Sequence, residues 1–208
     1  MLRIGVLVSG GGTNLQAIID GIKSGYIPDA SVELVISNKK NAYALTRAAE
    51  TNIKTEVIGR KQFESPEAFD KALADRLKAA NIDLVLLAGF MAILGTGFFT
   101  DFQNKVMNVH PALIPAFSGP GFYGLKVHES VLAAGCKVTG ASVHFVTPEV
   151  DAGPLILQQA VEVNQVDTPE TLQRRVMEEA EWKIYPEAVR LFALGLLEVR
   201  GQRVYINN

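Results

Sequence analysis

The chain has 208 residues and a mass of 22.5 kDa, with 48% hydrophobic and 20% charged side chains. That composition suits one globular domain with a sizeable core and excludes a disordered or fibrous protein. Twenty Lys and Arg against 22 Asp and Glu leave a formal charge of -2 without any block of like sign, so no nucleic-acid surface is expected, although a local anion pocket is allowed. Cys136 is the only cysteine, which excludes an intrachain disulfide or a zinc site of several thiolates and points to the reducing cytoplasm.

Residues 1–9 read as a strand rather than a signal peptide, because no basic run precedes the apolar stretch and Gly10, Gly11 and Gly12 follow it. The glycine turn leads to a helix at 15–23. Strands then follow at 32–37, 55–58, 84–88, 106–109, 139–145 and 156–163, several of them apolar throughout, as buried parallel strands are. Helices are expected at 42–50, 66–80, 127–134 and 169–192, two of them with Pro at the first position. In the last, Leu172, Val176, Ala180 and Ile184 recur at helical spacing. A hairpin of 197–199 and 204–206 closes the chain. The alternation predicts an α/β fold, an open, mostly parallel twisted sheet with helices on both faces. No apolar run approaches the roughly 20 residues that span a bilayer, so no membrane partner is expected.

Strand, Ser9-Gly10-Gly11-Gly12-Thr13-Asn14, then helix is an arrangement that aims free backbone N–H groups and the positive helix end at an anion. Thr13 and Asn14 offer side-chain donors or a helix cap. A dinucleotide fingerprint would need its third glycine where Leu15 stands, and no Gly-Lys-Ser/Thr follows as a triphosphate loop requires. A nucleoside triphosphate is not expected, and a bare βα turn without ligand is the plain alternative.

Asn108 and His110 alternate onto one face at the carboxyl end of a strand, the edge where open parallel sheets bind ligands. Imidazole titrates nearest neutrality and can shuttle a proton or, when charged, stabilise an oxyanion, while Asn108 adds an amide donor. The loop after the next strand delivers Asp151 within Asp-x-Gly-Pro, where a carboxylate can orient His110 and favour its charged form. Taken alone, Asp-x-Gly-Pro is turn chemistry and His144 a hydrogen-bonded strand residue. His128 reads as a helix-surface residue. No His or carboxylate spacing suits a metal, and neither Ser9 nor Ser142 sits in a nucleophile elbow. The stretch 111–124, with three Pro and three Gly, reads as a mobile lid.

From Ile4 to about Leu196 the chain resembles the folate-dependent phosphoribosylglycinamide formyltransferase family. The resemblance runs through residues 8–16, 87–91, Asn108-Val109-His110-Pro111-Ala112-Leu113-Ile114-Pro115, 143–146 and Asp151-Ala152-Gly153-Pro154. It implies a single formyltransferase domain over 1–208, Rossmann-like in its first half, with 1–104 binding phosphate and substrate and 105–208 holding catalysis and folate. It implies transfer of the formyl group of 10-formyltetrahydrofolate to the amine of 5'-phosphoribosylglycinamide, with no metal. Asn108, His110 and Asp151 would carry the chemistry and Ser142 would support them, through an ordered water. Gly11, Gly12, Thr13 and Asn14 would hold the phosphate and Glu181 the ribose. Met91, Ala92, Ile93, Leu94, Val146, Thr147 and Asp151 would hold the pterin. Ala92 stands where family members often carry Arg, and Pro66 where some do, so contacts to the folate tail or the substrate phosphate are expected to be weaker or supplied otherwise, for example by Arg60 or Lys61.

A monomer or homodimer acting on small molecules in the cytoplasm is expected. The rivals are a 10-formyltetrahydrofolate hydrolase, which usually carries a further N-terminal domain; a methionyl-tRNA formyltransferase, which usually carries a further C-terminal one; a nicotinamide oxidoreductase; and a non-catalytic phosphate-binding module.

Overall fold

A computed structural model describes residues 1–207, and the chain divides into two compact units, Met1–Asn108 and Val109–Asn208. In the first unit the order is β1 (Leu2–Val8), α1 (Thr13–Lys23), β2 (Ala30–Ser37), α2 (Tyr43–Glu50), β3 (Lys54–Val57), a 3-10 turn (Arg60–Gln62), α3 (Pro66–Ala79), β4 (Leu84–Ala88), α4 (Thr96–Asp101) and the start of β5 (Val106–His110). The strands lie in the order β3-β2-β1-β4-β5, and each neighbouring pair is parallel. Residues 4–8 of β1 and all of β4 are buried, which explains their unbroken apolar sequence.

Helix α3 shows how local sequence fixes an element. Ser65 accepts a hydrogen bond from the Ala68 N–H, Pro66 opens the first turn, and Phe69, Leu73 and Leu77 recur every four residues on the buried face. Helix α4 escapes sequence periodicity because six residues are too few to show it. Its Phe98 and Phe99 are buried, and Phe98 stacks on Phe102 with ring centres 5.3 Å apart.

The second unit takes up the strand order at the end of β5 and continues β6 (Val138–Phe145), β7 (Leu155–Glu162), β9 (Arg203–Ile206) and β8 (Leu197–Arg200). Here β6 and β7, like β8 and β9, pair antiparallel, while β9 joins β7 in parallel. Parallel pairs still predominate over the chain, as expected. The helix expected over 169–192 is three segments: α6 (Pro169–Val176), a π-helical turn (Met177–Glu181) and α7 (Trp182–Ala193). Leu172, Val176 and Ala180 do face the core. A π turn inserts one residue into the helical period, and Pro186 within α7 has no N–H to donate; neither breaks the apolar spacing that marks the helix.

Helix α5 (Leu125–Ala133) corrects another expectation. His128 lies on its buried face beside Val127 and Val131, with 0% of its surface exposed, not on the helix surface. Among the described residues, neither of its ring nitrogens has a hydrogen-bond partner. No helix among them is long and apolar enough to cross a membrane.

Candidate active site

The glycine loop of the first unit is shaped by backbone and by neighbours from three elements. Helix α1 begins at Thr13, two residues earlier than expected, because Gly12 itself is the N-cap, in the left-handed region at φ 74° with no side-chain cap. Only glycine fits there. A Cβ on Gly12 would lie 2.6 Å from the Ala44 Cβ of α2, and the positive φ would strain any other residue. Ser9 donates to Asn38 Oδ1 at 2.7 Å and accepts from the Met91 N–H at 2.9 Å, tying the ends of β1 and β2 to the segment after β4. Gly10 and Gly11 are exposed, with nothing within 4 Å of where their side chains would stand. Asn14 is buried at the helix start.

The segment after β4 carries Met91 and Ile93 exposed, Ala92 half-buried and Leu94 buried. It ends at Gly95, whose N–H donates to Asp70 Oδ2 at 2.7 Å. Asp70 is itself buried, and burial pushes its carboxyl above the ordinary range. Arg60 donates through Nη1 to the Phe63 carbonyl at 3.0 Å, within its own turn.

In the second unit His110, His144 and Asp151 come together in the interior. The Asp-x-Gly-Pro turn folds back on the end of β6. Phe145 N–H donates to the Pro154 carbonyl at 2.9 Å, and a Cβ on Gly153 would land on the Phe145 carbonyl oxygen. Asp151 takes a left-handed φ of 55°, and this turn aims its carboxylate at both histidines. Oδ2 lies 3.4 Å from His110 Nδ1, and Oδ1 lies 3.6 Å from His144 Nε2. Oδ2 also accepts from the Gly119 N–H at 3.0 Å. Burial raises the Asp151 pKa, but the His144 contact, the His110 charge and the Gly119 N–H outweigh it, holding the carboxyl below its ordinary value. Asp151 is therefore ionised at neutral pH.

His110 faces two acceptors. Its Nε2 lies 2.8 Å from the Phe117 carbonyl, and since a carbonyl only accepts, that nitrogen carries the proton and donates. Burial lowers its pKa, and the opposing pulls of Asp151 and the Phe117 carbonyl do not restore it. Asp151 thus favours the charged form, as expected, but burial weighs more and the net shift of the ring is downward, with Nδ1 turned to the carboxylate. His144 Nδ1 lies 2.9 Å from the Phe145 carbonyl and donates to it, which fixes the ring.

Ser142 is fully buried on β6, and its hydroxyl is used by protein. It donates to the Ala112 carbonyl at 2.7 Å and accepts from the Ile114 N–H at 3.0 Å and from Gln158 Nε2 at 2.8 Å. Gln158 also donates to the Ile114 carbonyl at 3.0 Å. Together they fasten the backbone that follows His110. Asn108 stands half-buried on β5 opposite Leu87 of β4. Glu181 is buried at the end of the π turn. Thr147 donates to the Glu149 carbonyl at 3.2 Å, within its own loop, and Val146 is half-buried.

Sequence reasoning gave His144 and Gln158 no part in the site. Strand alternation placed Ser142 and His144 on one face of β6, nine and seven residues before Asp151 closes the turn, and that was the available signal. Gln158 had none, because its role depends on the register that sets it opposite Ser142.

A buried histidine and carboxylate are suited to moving a proton, and a glycine loop that opens a helix is suited to receiving an anion. The sequence profile of the formyl transferase family matches residues 2–189, and the chain belongs to that family. Over 207 residues it is 40% identical to the phosphoribosylglycinamide formyltransferase of Haemophilus influenzae, covering 100% of this chain and 94% of that protein. The crystal structure of glycinamide ribonucleotide transformylase 1 from Symbiobacterium toebii superposes with a TM-score of 0.94 at 48% identity, covering 100% of this chain and 95% of the other. Within the family the chain therefore falls among the phosphoribosylglycinamide formyltransferases. It is also 44% identical to the trifunctional purine biosynthetic protein adenosine-3 of Bos taurus over 199 residues, but spans only 19% of that protein's length.

Proposed function

We propose that this chain transfers the formyl group of 10-formyltetrahydrofolate to the amine of 5'-phosphoribosylglycinamide, a step of de novo purine biosynthesis. The observation that carries the reading is the buried Asp151 carboxylate set between His110 and His144, in a chain of this family. The amine attacks the formyl carbon, the new C–N bond forms, and negative charge gathers on the formyl oxygen. His110 Nε2–H and the Asn108 amide are the donors to that oxygen, which replaces the Phe117 carbonyl as the acceptor for His110. As the tetrahedral intermediate collapses, the bond to the folate nitrogen breaks. The proton lost by the amine passes by way of the Asp151 carboxylate to that leaving nitrogen, so no charge is left over. His144 and the Gly119 N–H keep Asp151 ionised and aimed.

In the first unit the phosphate is assigned to Gly11, Gly12, Thr13 and Asn14, and Met91, Ala92, Ile93 and Leu94 are assigned to the pterin. In the second, Val146, Thr147 and Asp151 are assigned to the pterin and Glu181 to the ribose hydroxyls. The exposed apolar side chains of Met91 and Ile93 suit a flat aromatic ring. Ser142 is assigned a supporting role through the Ala112 and Ile114 backbone it holds.

The test is the absorbance change of 10-formyltetrahydrofolate with and without phosphoribosylglycinamide. Consumption that requires the amine substrate supports the transferase. Equal consumption without it makes the chain a hydrolase.

A further inference from the structure

On helix α2, Arg47 lays its guanidinium against the glycine loop. Nε donates to the Gly11 carbonyl at 2.9 Å, Nη1 donates to Gln16 Oε1 at 3.3 Å, and the group lies 5.0 Å from the centre of the Tyr43 ring. Three neighbours thus fix its position. Gln16 in turn donates through Nε2 to Asp20 Oδ1 at 2.9 Å, so the guanidinium stands beside the loop and the carboxylate one hydrogen bond further off. The same helix grips the loop a second time, because the Ala44 N–H donates to the Gly10 carbonyl at 3.0 Å.

A trans peptide points its N–H opposite to its own C=O. With the Gly10 and Gly11 carbonyls both turned onto α2, the N–H groups of Gly11 and Gly12 face away from it. The left-handed Gly12 then brings this pair to the positive end of α1. Without the two donors of α2, either carbonyl could swing round and present its negative end to an arriving anion. Ala44 acts through its backbone; Arg47 is the one of the two whose grip depends on its side chain.

We propose that Arg47 is a positioning residue for the phosphate of the amine substrate, holding the Gly11–Gly12 peptide with its N–H turned away from α2 and adding a positive charge beside it. This rests on the assignment of that phosphate to the glycine loop. Arg47 has no contact with the reacting carbon, so its effect belongs in substrate binding.

The experiment measures kcat and KM for phosphoribosylglycinamide and for its dephosphorylated form, glycinamide riboside, in the wild type, Arg47→Met and Arg47→Lys. For Arg47→Met the expected result is a KM for the phosphorylated substrate raised roughly tenfold, with kcat within about twofold and the riboside KM unmoved. Arg47→Lys restores part of the loss, because it keeps the charge but lacks the planar fork. A rise that is equal for both substrates, or no rise for either, overturns the proposal. Should Arg47→Met fail to fold, inhibition by inorganic phosphate is compared between the wild type and Arg47→Lys: weaker inhibition of the variant supports the proposal, and equal inhibition overturns it. A wild type that transfers formyl but does not distinguish the two substrates removes the phosphate assignment itself, and the proposal with it. A wild type that transfers formyl to neither overturns the transferase reading.

Discussion

The glycine loop of the first unit and the histidine centre of the second are built from different materials. At the loop Gly10 and Gly11 are exposed main chain without side chains, while Arg47 and the Ala44 N–H hold their carbonyls and Ser9 fastens the entrance. At the centre the groups are side chains with almost no exposure, and it is the backbone, at Phe117, Gly119 and Phe145, that holds them. Exposed main-chain donors suit a ligand such as phosphate, which brings its own charge and needs only to be received. Buried ionisable groups suit proton transfer, because burial and neighbouring charge set their pKa values.

If the two regions divide their work in this way, changes at the centre cost rate and changes at the loop cost binding or local stability. The largest effect is expected for Asp151→Asn, which keeps the shape but removes the charge. Formyl transfer measured at saturating substrate should fall by about 10³-fold, in the range that general acid–base groups contribute. Next comes Gly153→Ala, whose Cβ has no room beside the Phe145 carbonyl. It should lower stability by about 3 kcal/mol in a denaturant titration and displace Asp151, losing activity with it.

Acid sensitivity comes third and belongs to the second unit. Burial and the His110 charge bring His128 down from 6.5 to about 4. Between those values the unfolded chain binds a proton that the folded chain refuses, so stability is intact above pH 6.5 and falls as the pH drops toward 4, by about 3 kcal/mol in all. The lowered pKa values of His110 and Asp151 add losses of the same sign. His128→Leu should flatten the upper part of the curve, read by thermal melting at pH 7 and pH 5, and an unchanged slope would count against the buried neutral ring. The smallest effect is expected for Ser9→Ala, which deletes two hydrogen bonds at the loop entrance and should cost about 1–2 kcal/mol by denaturant titration, with kcat nearly unchanged.

The loop was legible in the sequence because its signal is local: three glycines between an apolar strand and a helix carry the whole argument. The parallel order of the first unit followed from the same alternation of strand and helix. At the centre, His110 and Asp151 could be named, but His144 could not be separated from an ordinary strand residue. Its part depends on a turn that reverses the chain onto β6. His128 was misplaced for a related reason: its neighbours Val127 and Val131 mark the buried face of α5, but histidine carries no apolar signal of its own. The direction of the His110 pKa was equally hidden, since adjacency to a carboxylate predicts a rise and only the burial around the ring reverses it.

The most direct test of the account is His110→Ala, with formyl transfer and the binding of each substrate measured on the same preparation, the latter by calorimetry. The account predicts that transfer falls by about 10²-fold to 10³-fold while both dissociation constants stay within about threefold of the wild type. Retained transfer, or a loss matched by equally weakened binding, would contradict it and leave the buried histidine with a structural role.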